Sequence, residues 1–109
     1  MVRLTSSQIH TLIDATHKCF GNSANIWLFG SRTDDTKRGG DIDLFIETDL
    51  QLGIVNAKLK MREELWLKFG EQKIDLLIRS RHKELSPMHK LAKDSGVELI
   101  DYQISEDSV

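Results

Sequence analysis

The chain has little of what usually staples or anchors a small protein. Cys19 is the one cysteine among 109 residues, so an internal disulfide is excluded. Its helical spacing puts the thiol on an apolar side, as an inert core group rather than a nucleophile. Tyr102 is the one tyrosine and Pro87 the one proline. No apolar run approaches the roughly 20 residues needed to cross a bilayer. Met1-Val2-Arg3-Leu4-Thr5 lacks the apolar core of a signal peptide. Together these predict a cytoplasmic protein with no membrane association. Charge of one sign is also nearly absent: 15 basic against 17 acidic residues leave a net −2. That gives no overall drive toward nucleic acid, and direct nucleic-acid binding is not expected. There is no internal repeat and no low-complexity segment. A chain 39% hydrophobic and 29% charged has the composition of one ordinary soluble domain, and 1–109 is read as that.

What is present is a regular alternation of helical and extended patterns. Thr5 to Phe20 reads as a helix, with Thr5 and Gln8 as a capping box. Ile9, Leu12, Ile13, Thr16, Cys19 and Phe20 recur at helical spacing, and Gly21 closes the helix. Ile26–Phe29 and Asp41–Glu47 read as strands. Leu52–Phe69 reads as a second helix, with Val55, Leu59, Arg62, Trp66 and Phe69 as its stripe. Lys73–Ile78 is a third strand. Ser86 caps a third helix with Pro87 at its first position; Met88, Leu91 and Ala92 form its apolar side and Gly96 stops it. Val97–Tyr102 is a short edge strand, and the tail from Ser105 to Val109 is polar. The fold class is α/β (α+β): a small mixed sheet of about four strands flanked by about three helices.

The chemistry concentrates between residues 30 and 43. Gly30-Ser31 follows the apolar run Ile26-Trp27-Leu28-Phe29, and Asp41-Ile42-Asp43 opens the next strand. Side chains alternate along a strand, so Asp41 and Asp43 share a face, roughly 6.5 Å apart. Ile42, Leu44 and Ile46 line the opposite, core face. At an effective dielectric of about 20, two charges at that separation repel by roughly 2.5 kcal/mol. A cation removes that cost, and an oxygen-only cluster suits Mg²⁺, which keeps sites for water and phosphate. Such acids can hold ions that clamp the attacking and leaving oxygens of a phosphoryl displacement. A Gly-Ser turn at a strand end offers backbone N–H groups and a hydroxyl to phosphate oxygens. Arg32 is a candidate for phosphate contact or for pairing with a nearby acid. Lys37 and Arg38 read as solvated. In Lys73-Ile74-Asp75-Leu76-Leu77-Ile78 one acid interrupts an apolar strand. If that strand lies beside the first, Asp75 joins Asp41 and Asp43, able to bind metal and accept a proton from an acceptor hydroxyl.

Each feature alone has a plainer explanation. Asp-x-Asp often starts a strand as a solvated or turn-capping pair, and a single edge-strand acid can simply block aggregation. Their joint occurrence in order is what points to a nucleotide-and-metal site. Other candidates read as structural: Trp27 and Trp66 as core or partner-facing, and His10, His17, His82 and His89 without metal-ligand spacing. The cluster Arg79, Arg81, His82 and Lys83 reads as a solvated loop.

Gly30-Ser31, Asp41-Ile42-Asp43 and Asp75 together resemble the signature of nucleotidyltransferases related to DNA polymerase β, and more narrowly the minimal nucleotidyltransferase (MNT) proteins. The order of elements is similar across nearly the whole chain, with a spacer one residue shorter than the family's common form. The resemblance implies Mg²⁺-dependent transfer of AMP from ATP to an acceptor, with release of pyrophosphate. It assigns triphosphate binding to Gly30 and Ser31, metal binding to Asp41 and Asp43, and completion of the metal site with deprotonation to Asp75. It further implies an antitoxin beside a helical HEPN-type ribonuclease toxin, adenylylating that partner on tyrosine. Two other functions are compatible: an antitoxin acting by contact alone, and an antibiotic-modifying transferase working as a homo-oligomer. A two-metal nuclease does not account for the Gly-Ser turn.

Overall fold

The computed structural model describes residues 4–29, 42–70 and 73–100. Gly30, Ser31, Arg32 and Asp41 therefore lie outside the described residues, as does Tyr102. The described elements are helices α1 (Ser6–Phe20), α2 (Ile54–Phe69) and α3 (Pro87–Ser95). The strands are β1 (Asn25–Phe29), β2 (Ile42–Thr48), β3 (Ile74–Ser80) and β4 (Val97–Glu98). They make an α+β fold on one mixed sheet in the order β3-β2-β1-β4. β2 runs antiparallel to β1 and parallel to β3, with α2 as the crossover. Of the expected strand Val97–Tyr102, Val97 and Glu98 pair with β1 and Leu99 bonds by its N–H to the Ile26 carbonyl; residues 101 and 102 lie outside the described residues.

Local chemistry sets the helix ends. Thr5 and Gln8 close a capping box on α1, and Ser86 closes one on α3 with His89 in the role usually taken by Glu or Gln. Pro87 stands at the first turn, where its missing N–H costs nothing. α1 and α2 cover one face of the sheet. Leu12, Ile13 and Phe20 meet Ile26, Leu28, Ile42, Leu44 and Ile46 there, with Met61 and Leu65 from α2. The Thr48 hydroxyl donates to the Phe20 carbonyl at 2.7 Å, tying the end of α1 to the end of β2 inside that core. Cys19 is half-buried and burial pushes its thiol upward, as expected of an inert group.

Two helix faces differ from their patterns. In α2 the buried residues are Ala57, Met61 and Leu65. Most of the expected stripe turns outward, with Val55 70% exposed, Leu59 59% and Trp66 58%, while Phe69 at its end packs against the core. Apolar residues occur on both sides of this helix, and the direction of the β2–α2–β3 crossover chooses between them. In α3 only Ala92 is buried, while Met88 and Leu91 face outward. A small residue is what lets this helix lie close to the sheet.

The sheet's second face is also covered. α3 crosses it, and Phe45 and Glu47 are both buried. Gly96 makes that crossing possible where α3 turns into β4. A Cβ there would stand 2.5 Å from the Ala92 carbonyl oxygen and 2.9 Å from that of Leu28, both backbone atoms. Gly96→Ala should destabilise the fold by about 1–3 kcal/mol, measured by urea denaturation. Tolerance of this substitution without loss would show that α3 packs more loosely than described.

Candidate active site

The parallel pairing of β2 and β3 sets Asp43 against Asp75 as register partners. Partners in adjacent strands project to the same side, with backbones about 4.8 Å apart. The expected convergence of these two acids is thus observed. Phe29, the last residue of β1, pairs with Asp43 from the other side. The rim of the α3-covered face therefore carries Phe29, Asp43 and Asp75 in a row. Phe29 and Ile42, the described residues that bound the segment 30–41, both stand at this end of the sheet. Asp75 is exposed and Asp43 half-buried, an arrangement open to a ligand from outside.

Behind the rim the same face becomes apolar and then ionic. Trp27, Phe45 and Leu77 occupy the next row in register. Trp27 and Phe45 rings lie 5.4 Å apart and His89 of α3 stacks on Phe45 at 5.3 Å. In the following row Glu47, only 4% exposed, accepts from Arg79 at 2.6 Å and from Lys93 at 3.2 Å. Arg79 also donates to the Lys83 carbonyl, and Lys93 lies 5.2 Å from the Trp27 ring centroid. This buried carboxylate with two cations pins α3 onto the sheet beside the acids. The sequence carried a signal for it. Asp43, Phe45 and Glu47 alternate onto one face, and a register pairing 43 with 75 pairs 47 with 79.

The basic cluster from Arg79 to Lys83 is accordingly not a solvated loop throughout, and Arg79 lies within β3. Arg79 is consumed by Glu47. Arg81 bonds Asp49, the Ser23 carbonyl and the Asn25 side chain, closing the far end of the sheet. Ser23 and Arg81 together hold the Asp49 carboxyl below its ordinary range. Neither arginine is at the acid rim.

Residues 9–102 match the family model described as a nucleotidyltransferase domain. The chain belongs to that family. No curated protein matches it in sequence. Nucleotidyltransferases of this superfamily, to which DNA polymerase β is related, typically use a divalent metal ion. Asp43 and Asp75 fit that requirement in kind, as hard oxygen donors in neighbouring register positions. Among the described residues no group of three or more His, Cys, Asp and Glu is gathered to hold a metal. The third acid of the signature, Asp41, lies outside them.

Two outcomes follow from the ionic row behind the site. Glu47→Ala leaves Arg79 and Lys93 facing each other over a cavity and should cost about 3 kcal/mol, read as a fall in Tm. His89 supplies a pH dependence. Burial pushes its imidazole below the ordinary range, Arg79 adds to this, and Glu47 opposes it. Its Nδ1 accepts the Ser86 N–H at 3.4 Å, which only the unprotonated nitrogen can do. With the folded pKa lowered, the unfolded chain takes up the proton first as pH falls. Stability is therefore complete above the ordinary histidine pKa of about 6.5 and declines below it. His89→Phe, which keeps a ring over Phe45, should flatten the fall in Tm between about pH 7 and pH 5. An unchanged slope would assign the acid sensitivity to other groups.

Proposed function

We propose that this nucleotidyltransferase transfers AMP from ATP to a hydroxyl of a partner protein, with Mg²⁺ bound by Asp41, Asp43 and Asp75. The observation that carries the reading is the in-register pair Asp43 and Asp75 at the rim where the segment 30–41 is attached. In it, Gly30 and Ser31 hold the triphosphate by backbone N–H groups and a hydroxyl, and Arg32 pairs with phosphate charge. The ion would neutralise phosphate charge and acidify the acceptor hydroxyl. Asp75, the exposed acid of the pair, accepts the hydroxyl proton. The acceptor oxygen bonds the α-phosphorus as the bond to the bridging oxygen breaks, and that oxygen leaves with pyrophosphate.

A protein acceptor is favoured by the outward stripe of α2. Val55, Leu59 and Trp66 leave an apolar surface of the kind that marks partner binding. The resemblance to minimal nucleotidyltransferases makes the partner a HEPN-type toxin modified on tyrosine, and the chain an antitoxin. The same stripe also supports a second reading, neutralisation by contact alone.

The two readings separate on one experiment. The chain is incubated with ATP, Mg²⁺ and a helical partner bearing an Arg-x-x-x-x-His ribonuclease motif, and the partner's mass is measured. Catalysis predicts a gain of one or more AMP groups, lost on chelation and in Asp43→Asn. Asp75→Asn should slow transfer by about 10²–10⁴-fold. Labelling that persists in both variants would remove the site assignment. Neutralisation without any labelling would favour contact alone.

A further inference from the structure

β3 is an edge strand seven residues long, and no strand lies beyond it among the described residues. Long apolar edges are templates for pairing, and proteins normally blunt them. The direction of β3's backbone groups follows from its ladder. Ile42 N–H donates to the Lys73 carbonyl and Arg81 N–H donates to the Thr48 carbonyl. Odd-numbered residues of β3 thus turn their N–H and C=O toward β2. Because these groups alternate along a strand, Ile74, Leu76, Ile78 and Ser80 turn theirs to the open edge. Of these, the Ser80 carbonyl is taken by the Lys83 N–H.

We propose that this edge pairs with β3 of a second copy, antiparallel about a two-fold axis at Leu77. In that register Leu76 and Ile78 exchange both backbone hydrogen bonds with Ile78 and Leu76 of the second copy. Ser80 N–H reaches the Ile74 carbonyl of the second copy at each end. Leu77 meets Leu77 in a non-hydrogen-bonded pair, where side chains approach most closely. Asp75 then stands opposite Arg79 of the second copy, and Arg79 opposite its Asp75. Among axes at the odd-numbered residues the charge pattern selects Leu77, since like charges would face each other at Asp75 or Arg79.

The ionic row supports this choice. Arg79 and Lys93 carry two positive charges against the single carboxylate of Glu47. One net positive charge therefore remains near the Asp75 of the other copy. At the ends of the ladder Lys73 faces Arg81, whose charge is already matched by Asp49. Edge charges that serve to block association would repel in the self-pairing register; here the central pair, Asp75 and Arg79, attracts. The product is one continuous sheet with β3 strands at its centre. Both Asp75 residues lie on the same face, about 14 Å apart, so each acid rim sits beside the other copy's Arg79. The α2 stripe plays no part and stays available.

The inference does not depend on the proposed reaction, and it is tested without activity. Amide hydrogen exchange is followed as a function of protein concentration, with sedimentation velocity alongside. Leu76 and Ile78 amides should gain at least tenfold protection as a dimer forms, while those of Leu77 and Arg79, bonded to β2, stay protected throughout. Asp75→Arg, at an exposed position, and Arg79→Asp should each sediment as monomers. Mixing the two should restore a dimer containing one of each by native mass spectrometry. If Arg79→Asp fails to fold, Ile78→Pro replaces it: it removes an edge-facing N–H, spares the β2 ladder and should also be monomeric. A wild-type chain that stays monomeric into the millimolar range would overturn the proposal. So would a dimer in which the Leu76 and Ile78 amides exchange at a rate independent of concentration.

Discussion

The parallel ladder between β2 and β3 is the constraint on which the other features rest. It is a rigid register: once Ile42 is paired with Ile74, each later pair is determined to Thr48 and Ser80. One consequence is chemical, because Asp43 and Asp75 are brought together from positions far apart in the chain. The other is electrostatic, because Glu47 meets Arg79 two rows further on. A slip of β3 by one residue would flip its side chains, carrying Asp75 to the core face beside Leu44, and Leu76 to the rim face beside Asp43. The apolar core on the α1–α2 side thereby protects the geometry of the rim on the other.

α3 converts that register into a site with one wet end and one dry end. Parallel strands are stable when both faces are covered, and the helix supplies the second cover with His89, Ala92 and Lys93. It needs two local permissions. Ala92 allows close approach, and Gly96 allows the chain to turn against Leu28 and Phe29. The buried Glu47 then fixes the helix through two cations, since leaving any one of these charges unpaired is costly. Asp75, at the uncovered end, stays in contact with solvent.

Most elements were legible in the chain because their signals are local. The Thr5–Gln8 and Ser86–Pro87 starts, the glycine stops and the alternation of β2 and β3 all depend on residues within one or two turns of each other. The acid pair was legible for a related reason: strand periodicity already placed each acid on the face opposite its apolar neighbours. What remained conditional was whether the two strands were neighbours. The α2 pattern is ambiguous because apolar residues lie on both sides of that helix, and the packed side of α3 is hidden from the pattern because Ala92 is flanked there by His89 and Lys93. Val55, Leu59 and Trp66 look like a core stripe until Ala57, Met61 and Leu65 are seen to be the better fit against the sheet.

By itself, then, the sequence determined the element types, the caps, the Gly-Ser and Asp-x-Asp signature of a nucleotidyltransferase, and which side of each strand an acid occupies. Those properties come from short-range sterics and periodicity. Only the tertiary structure decided that β3 lies at an edge in register with β2, that Glu47 is buried between Arg79 and Lys93, and which helix faces are covered. Those outcomes turn on the packing of segments distant in the chain, where small residues, buried charge and the direction of a crossover outweigh local preference.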